Sequence, residues 1–226
     1  SRQYTNKLAG TIRMDEATPS AELSPIVVDA AKATDTTHFS IVDSEGNRVA
    51  ATLSINYPFG SCFVAEGTGV LLNDEMDDFS SKPGVPNAYG LVGAEANAIE
   101  PGKRMLSSMT PTFLETKDRI AVLGTPGGSR IITMVLLATI EFHNGGNAED
   151  MVNRGRFHHQ YLPDKIFFEP GVLTETLKKT LFELGHEIEM LDSAYGNMHA
   201  IVMDKKSRQL DTASDSRGSG MARVER

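Results

Sequence analysis

From Thr37 onward, apolar and polar positions alternate. Phe39 and Ile41 lead into the polar cluster Asp43-Ser44-Glu45-Gly46-Asn47, and residues 49–55 resume the alternation. A period of two broken by an Asp/Gly/Asn turn predicts a β-hairpin. Short apolar stretches at residues 62–65, 69–72, 111–115 and 119–123 predict further strands, the last two paired around Lys117-Asp118. The period then changes. Residues 129–143 read as a helix stopped by Asn144-Gly145-Gly146. Its apolar run, residues 131–140, is broken by threonines and is too short to cross a bilayer, so a buried helix is expected. Residues 148–153 predict a second, shorter helix. A third, over residues 172–184, places Leu173, Leu177, Leu181 and Leu184 on one face, with Gly185 as the stop. Residues 200–203 and 209–213 predict a closing hairpin across Lys205-Lys206. At the start, Tyr4, Leu8 and Ile12 stand at helical spacing within residues 1–14. Residues 15–25, with Thr18-Pro19-Ser20 and Ser24-Pro25, read as a linker or exposed loop. Strands, then helices on a face, then strands again predict an α+β layered sandwich. After Ser214 the tail is Gly/Ser-rich and is expected to be irregular.

Composition narrows the function classes. With 226 residues, 40% of them hydrophobic, the chain can bury a real core, and one domain is the default. A formal net charge of -8 argues against nucleic acid, whose phosphates call for a basic footprint, and it permits small polar or cationic substrates. No apolar run reaches transmembrane length. The single Cys62 excludes an internal disulfide framework, and a small buried thiol is the expectation for it. His158 and His159 are adjacent, so on a strand they face opposite ways and form no metal pair. No spacing of His, Cys and Asp suggests a metal, and no cofactor motif is present.

Four polar clusters remain as candidate chemistry, all in loops or at strand ends. Thr36-Thr37 opens the first strand, and a hairpin brings Ser54 and Asn56 back beside it. A threonine that becomes the chain terminus gains a base in its own α-amine, which turns a weak nucleophile into a good one. Asn73-Asp74-Glu75-Met76-Asp77-Asp78 crowds four carboxylates together. Such a loop is solvated, binds a cation or grips a substrate ammonium, and its spacing fails the EF-hand pattern. Ser107-Ser108, ahead of a strand, form a turn or offer hydroxyls to a carboxylate. Gly124-Thr125-Pro126-Gly127-Gly128-Ser129-Arg130 runs into the apolar helix, where backbone N–H groups and the helix dipole suit an anion or oxyanion. It is not a Walker loop.

In this order, Asp35-Thr36-Thr37-His38-Phe39-Ser40, Asn73-Asp74-Glu75-Met76-Asp77-Asp78-Phe79, Lys82-Pro83-Gly84-Val85-Pro86-Asn87, Leu106-Ser107-Ser108-Met109-Thr110-Pro111, Thr125-Pro126-Gly127-Gly128-Ser129-Arg130 and Arg156-Phe157-His158-His159-Gln160 resemble the small-subunit signatures of the γ-glutamyltranspeptidase (glutathione hydrolase) family. The resemblance implies a four-layer αββα sandwich of the N-terminal-nucleophile (Ntn) hydrolase type. It implies that residues 1–35 are the end of a large subunit and that residues 36–226 are the small catalytic subunit, separated by autocatalytic cleavage between Asp35 and Thr36. Thr36 would be the nucleophile, with Ser54 bonded to it and Gly127 and Gly128 as the oxyanion hole. Asn56, Glu75 and Asp78 would hold a substrate ammonium, Ser107 and Ser108 its carboxylate, and Tyr89 would belong to a lid. The donor would be glutathione or another γ-glutamyl compound and the acceptor water, an amino acid or a peptide, with no cofactor and no metal. The family resemblance places the protein in the periplasm or outside the cell.

Ser54 stands where many family members have threonine, and Asp215-Ser216-Arg217 replaces the more usual Asp-Pro-Arg, which leaves the tail conformation open. The resemblance also implies a far longer large subunit that supplies an arginine to the substrate carboxylate, so this chain alone is expected to have little activity. Two alternatives stand beside the main reading. One is a cephalosporin (glutaryl) acylase-like Ntn amidase, against which Glu75 and Asp78 argue because they would face nothing positive. The other is a non-catalytic relative that keeps the fold as a binding module.

Overall fold

A computed structural model describes residues 1–23, 36–80, 82–85 and 92–225. Helix α1 (Arg2–Ala9) and the single-turn α2 (Ser20–Leu23) come first. The hairpin β1 (Thr36–Val42) and β2 (Arg48–Ser54) follows, then the two-residue strands β3 (Val64–Ala65) and β4 (Val70–Leu71). Next come β5 (Thr112–Glu115), β6 (Arg119–Gly124), α3 (Arg130–His143) and α4 (Ala148–Asn153). The chain closes with β7 (Phe157–His158), β8 (Ile166–Phe168), α5 (Glu175–Glu183), β9 (Ile188–Met190), β10 (His199–Asp204) and β11 (Leu210–Ser214).

The central sheet runs β11-β10-β6-β5, all antiparallel. Its middle strand β6 is apolar on both faces, and the pleat sorts its residues into two cores. Ala121 and Leu123 join Ala200, Val202 and Ala213 against Ile131, Met134, Val135, Ala138 and Phe142 of α3 and Ala148, Met151 and Val152 of α4. Ile120, Val122 and Met203 point the other way, toward Val42 and Ala50 of the β1–β2 hairpin. Helices, sheet and hairpin therefore form three successive layers.

The hairpin register pairs Thr36 with Ser54 and Val42 with Arg48. Its turn is held by the Asp43 carboxylate, which accepts from the N–H groups of Glu45 and Asn47 at 2.9 and 2.8 Å. The side of the hairpin away from the sheet exposes Phe39, Ile41, Val49 and Leu53. An apolar outer face of this kind fits a sheet that has a further layer to receive.

A third sheet is built from short pieces: β7 pairs antiparallel with β8, and β8 pairs parallel with β9. Parallel neighbours need a crossover, and α5 provides it. Arg156, buried just before β7, donates to Asp215 at 2.6 Å, and Arg217 donates to both oxygens of buried Glu169 at 2.8 Å. Ser216 completes the attachment through Asn153 Oδ1.

Several expectations need correction. The first helix ends at Ala9, and Tyr4, Leu8 and Ile12 are exposed because nothing among the described residues packs on them. The segment after it is docked, not free: Ala17 N–H donates to the Leu184 carbonyl at 2.7 Å and Ser20 N–H to Asp164 at 2.6 Å. Helix α3 is buried along one face only, and Ile132, Leu136 and Ile140, four apart, are exposed on the other. Helix α5 is shorter than residues 172–184 and buries none of its residues, since no other described element packs closely along it. Cys62 is exposed at φ 57°, in a turn that points its side chain outward. The tail after Ser214 has no regular element, yet residues 215–217 are among the best-anchored of the chain through the ion pairs just described. Asp35 and Tyr89 lie outside the described residues.

Candidate active site

Thr36 begins β1 on the hairpin side that faces the sheet, directly opposite Ser54. The two hydroxyls are hydrogen-bonded at 2.9 Å. Ser54 also accepts from the Asn56 N–H at 2.9 Å. The strand stops at Ser54, and Asn56 turns at φ 70° into a buried position. Asn56 therefore does not continue the strand alternation, as the sequence suggested, but doubles back over Ser54.

The same turn captures the acidic segment. Asn56 Nδ2 donates to the Asp74 carbonyl at 3.4 Å and Tyr57 N–H to Asp74 Oδ1 at 3.2 Å. The Tyr57 hydroxyl donates to Asp77 at 2.7 Å. Glu75–Asp78 form one 3-10 turn, started by Asn73 Oδ1 accepting from Glu75 N–H at 3.0 Å. Asp78 has its pKa pushed up to about 7, first by burial, then by its hydrogen bond to Glu75, then by the charges of Glu75, Asp77 and Asp74. Glu75 Oε1 is buried and has no hydrogen-bond partner among the described residues.

Facing this turn is the glycine loop. Gly127 (φ 141°) and Gly128 (φ 56°) both take conformations that side chains rarely adopt. Their carbonyls accept from Arg130 and Ile131 at 3.1 Å and so start α3. Among the described residues their own N–H groups have no acceptor. Behind the loop, Arg130 stacks on the Tyr195 ring with its guanidinium carbon 4.4 Å from the ring centroid. Ser108 Oγ donates to the Gly128 carbonyl at 3.0 Å, and Ser107 Oγ accepts from Met109 N–H at 3.1 Å.

One pocket collects these groups. Thr36, Ser54, Asn56, Glu75, Asp78, Ser107, Ser108 and Gly128 all line it, whereas Gly127, the neighbour of Gly128 in the chain, is not among the lining residues. Four clusters spread from Thr36 to Gly128 in sequence thus meet around one hydroxyl. Sequence reasoning missed Asn97, which also lines the pocket and bridges two of its loops. It also gave no role to His38, buried under β6 with Nδ1 on Thr52 Oγ1 at 2.8 Å and Nε2 on Ser40 Oγ at 2.9 Å. Asn97 carries no local signal. His38 does, since a histidine on the inward phase of an alternating strand must find partners for both ring nitrogens.

A sheet backed by helices on one side and covered by a hairpin on the other, with a threonine at the head of the hairpin, defines the Ntn-hydrolase fold. The γ-glutamyltranspeptidase family model matches residues 1–224, and the chain belongs to that family. It is 43% identical over 219 residues to the glutathione hydrolase proenzyme of Escherichia coli K12, covering 96% of this chain and 37% of that protein. With the glutathione hydrolase proenzyme of Pseudomonas aeruginosa it shares 49% identity over 195 residues, 84% of this chain and 34% of that protein. The chain therefore spans roughly a third of the length of these relatives. Among solved structures, the γ-glutamyltranspeptidase from Pseudomonas nitroreducens complexed with L-DON is similar at TM-score 0.75 and 47% identity, over 84% of this chain and 100% of that one. A cephalosporin acylase from Bacillus halodurans shares the fold at TM-score 0.69 and 21% identity, over 96% of this chain and 37% of that one.

Proposed function

We propose that this chain carries the catalytic centre of a γ-glutamyl hydrolase/transpeptidase, with Thr36 as nucleophile. The observation that carries the reading is the layout of the pocket. The Thr36 hydroxyl shares one pocket with the carboxylates of Glu75 and Asp78, with the Ser107 and Ser108 hydroxyls and with Gly128 at the start of α3. A γ-glutamyl group presents an ammonium and a carboxylate on one carbon and an amide three carbons away, and the pocket offers each a partner. Asn56, Glu75 and Asp78 hold the ammonium, and the partnerless Glu75 Oε1 is an acceptor that such a donor satisfies. Ser107 donates its hydroxyl proton to the carboxylate, and Ser108 does so by turning its single proton away from the Gly128 carbonyl.

Maturation and turnover use the same hydroxyl. In the precursor, Thr36 Oγ attacks the Asp35 carbonyl, the peptide nitrogen leaves as the new α-amine of Thr36, and water hydrolyses the resulting ester. In the mature enzyme that amine takes the hydroxyl proton as Oγ adds to the γ-amide carbon. The oxyanion rests on the N–H groups of Gly127 and Gly128, where loss of one donor typically costs about 3 kcal/mol of barrier. The amine leaving group departs with the proton. Water or an amino acid then attacks the γ-glutamyl ester, which gives hydrolysis or transfer. No step calls for a metal or cofactor.

The large subunit of the same precursor is the partner of this reading. It would cover Phe39, Ile41, Val49 and Leu53, the fourth layer of the sandwich, and the apolar stripe of α3. Residues 1–35 would be the end of that subunit and residues 36–226 the small subunit, in a protein acting in the periplasm or outside the cell.

The test uses precursor-length protein containing this chain. Intact mass should show cleavage between Asp35 and Thr36, and a γ-glutamyl anilide should be turned over. Thr36→Ala should abolish both. Cleavage followed by turnover of a glutaryl anilide alone would favour the acylase alternative, and an uncleaved, inert protein would favour a binding module.

A further inference from the structure

The ammonium side and the carboxylate side of the pocket belong to loops far apart in sequence, and one side chain touches both. Asn97 ends a 3-10 turn (Glu95–Asn97). Its Nδ2 donates to the main-chain carbonyl of Asp78 at 2.8 Å, and its Oδ1 accepts from the Leu106 N–H, one residue before Ser107, at 3.0 Å. Its own carbonyl accepts from Ser80 N–H at 2.9 Å, beside a parallel bridge between Ser80 and Ala98. A carboxamide holds its donor and acceptor in one rigid plane. The separation between the Asp78 backbone and the Leu106 backbone is therefore set by that plane and two hydrogen bonds. From Ser108 the linkage continues to the Gly128 carbonyl at 3.0 Å.

Resting on the γ-glutamyl reading above, we propose that Asn97 is a positioning residue that sets the spacing between the ammonium-binding turn and the serine loop, and so selects donors bearing both charges on one carbon. Such a donor leaves no slack, because its ammonium and carboxylate are fixed to the same atom. A donor with only the carboxylate needs no such spacing. Loosening the strut must therefore penalise the first kind of donor more than the second.

The experiment compares Asn97→Ala with the parent in precursor-length protein, using a γ-glutamyl anilide and a glutaryl anilide that lacks the ammonium. For the γ-glutamyl donor, KM should rise by roughly 10-fold to 100-fold while kcat changes far less, as expected for a misplaced binding group. For the glutaryl donor, kcat/KM should stay the same, so the preference between donors falls by the same factor. If Asn97→Ala fails to mature, Asn97→Ser is measured instead, since it is too short to span both partners. Equal losses for both donors, or an unchanged preference, would overturn the proposal while leaving the γ-glutamyl reading in place. A parent that turns over neither donor would overturn both.

Discussion

Thr36 Oγ1 lies 2.9 Å from Ser54 Oγ, directly across the hairpin register. Ser54 has one proton, and its oxygen already accepts from the Asn56 N–H. That leaves the proton free to point at Thr36, where in the proposed mechanism it would stabilise the oxygen as its own proton departs. Ser54→Ala should lower kcat by about tenfold, the worth of one neutral hydrogen bond of about 1.4 kcal/mol, and should slow precursor cleavage similarly. Ser54→Thr keeps the hydroxyl and should retain most activity. Initial rates on a γ-glutamyl anilide, with cleavage followed by intact mass, decide this; an unimpaired Ser54→Ala would remove Ser54 from the mechanism.

Asp78 gives the site a pH dependence with a definite sign. Its pKa is raised to about 7 by burial first and then by Glu75, so below that pH the empty site holds a neutral acid. A neutral acid attracts an ammonium weakly. Ionisation of Asp78 should therefore give the kcat/KM of a γ-glutamyl donor a rising limb with its midpoint near pH 7. In the proposed mechanism the Thr36 amine must also lose its proton, but that requirement applies equally to a glutaryl donor. The ratio of the two kcat/KM values isolates Asp78: it should climb through about pH 7 and then hold until the donor's own ammonium loses its proton on the alkaline side. Glu75→Gln removes the nearest negative charge and should move the break to lower pH, though not to the ordinary carboxylate value, because burial remains. A ratio independent of pH from about 5 to about 9 would contradict this account.

How much of this was legible in the sequence depends on how far each signal reaches. The β1–β2 hairpin shows apolar positions two apart at Phe39 and Ile41, a second apolar arm from Val49 and an Asp/Gly turn between them, so its existence, though not its end at Ser54, follows from the chain itself. The glycine loop and α3 are equally local. Strands β7, β8 and β9 have two or three residues each, too few to display a period of two, and only their packing against one another defines them. Arg156, Asp215 and Arg217 stand out in the sequence only as parts of family motifs, and Glu169 looks like an ordinary solvated charge. Burial pairs them across 48 to 59 residues and pins a tail whose composition suggested looseness. Asn97 is the extreme case. It has neither pattern nor motif of its own, and its role exists only once the loops of Asp78 and Leu106 have met.

Gly124 offers the sharpest test of how nucleophile and oxyanion loop are held in register. It ends β6, three residues before Gly127, and pairs with His199. A Cβ on Gly124 would lie 2.3 Å from Cε1 and 2.4 Å from Nδ1 of His38. The His38 ring cannot swing away freely, because it is buried and both nitrogens are hydrogen-bonded, to Thr52 and Ser40. Burial, with His199 nearby, lowers its pKa to about 4, so at neutral pH the ring is an uncharged wedge between hairpin and sheet. Gly124→Ala must then push the hairpin, and Thr36 with it, away from the glycine loop. The overpacking should cost about 1–3 kcal/mol of stability. Precursor cleavage and kcat should fall by more than that loss alone implies, because the reacting groups are misaligned. Adding His38→Ala vacates the space the new methyl needs. The double variant should therefore be less impaired than the two single losses added together, a coupling that a double-mutant cycle on melting temperature and cleavage rate measures directly. Strictly additive losses would show that Gly124 and His38 do not share this contact in solution.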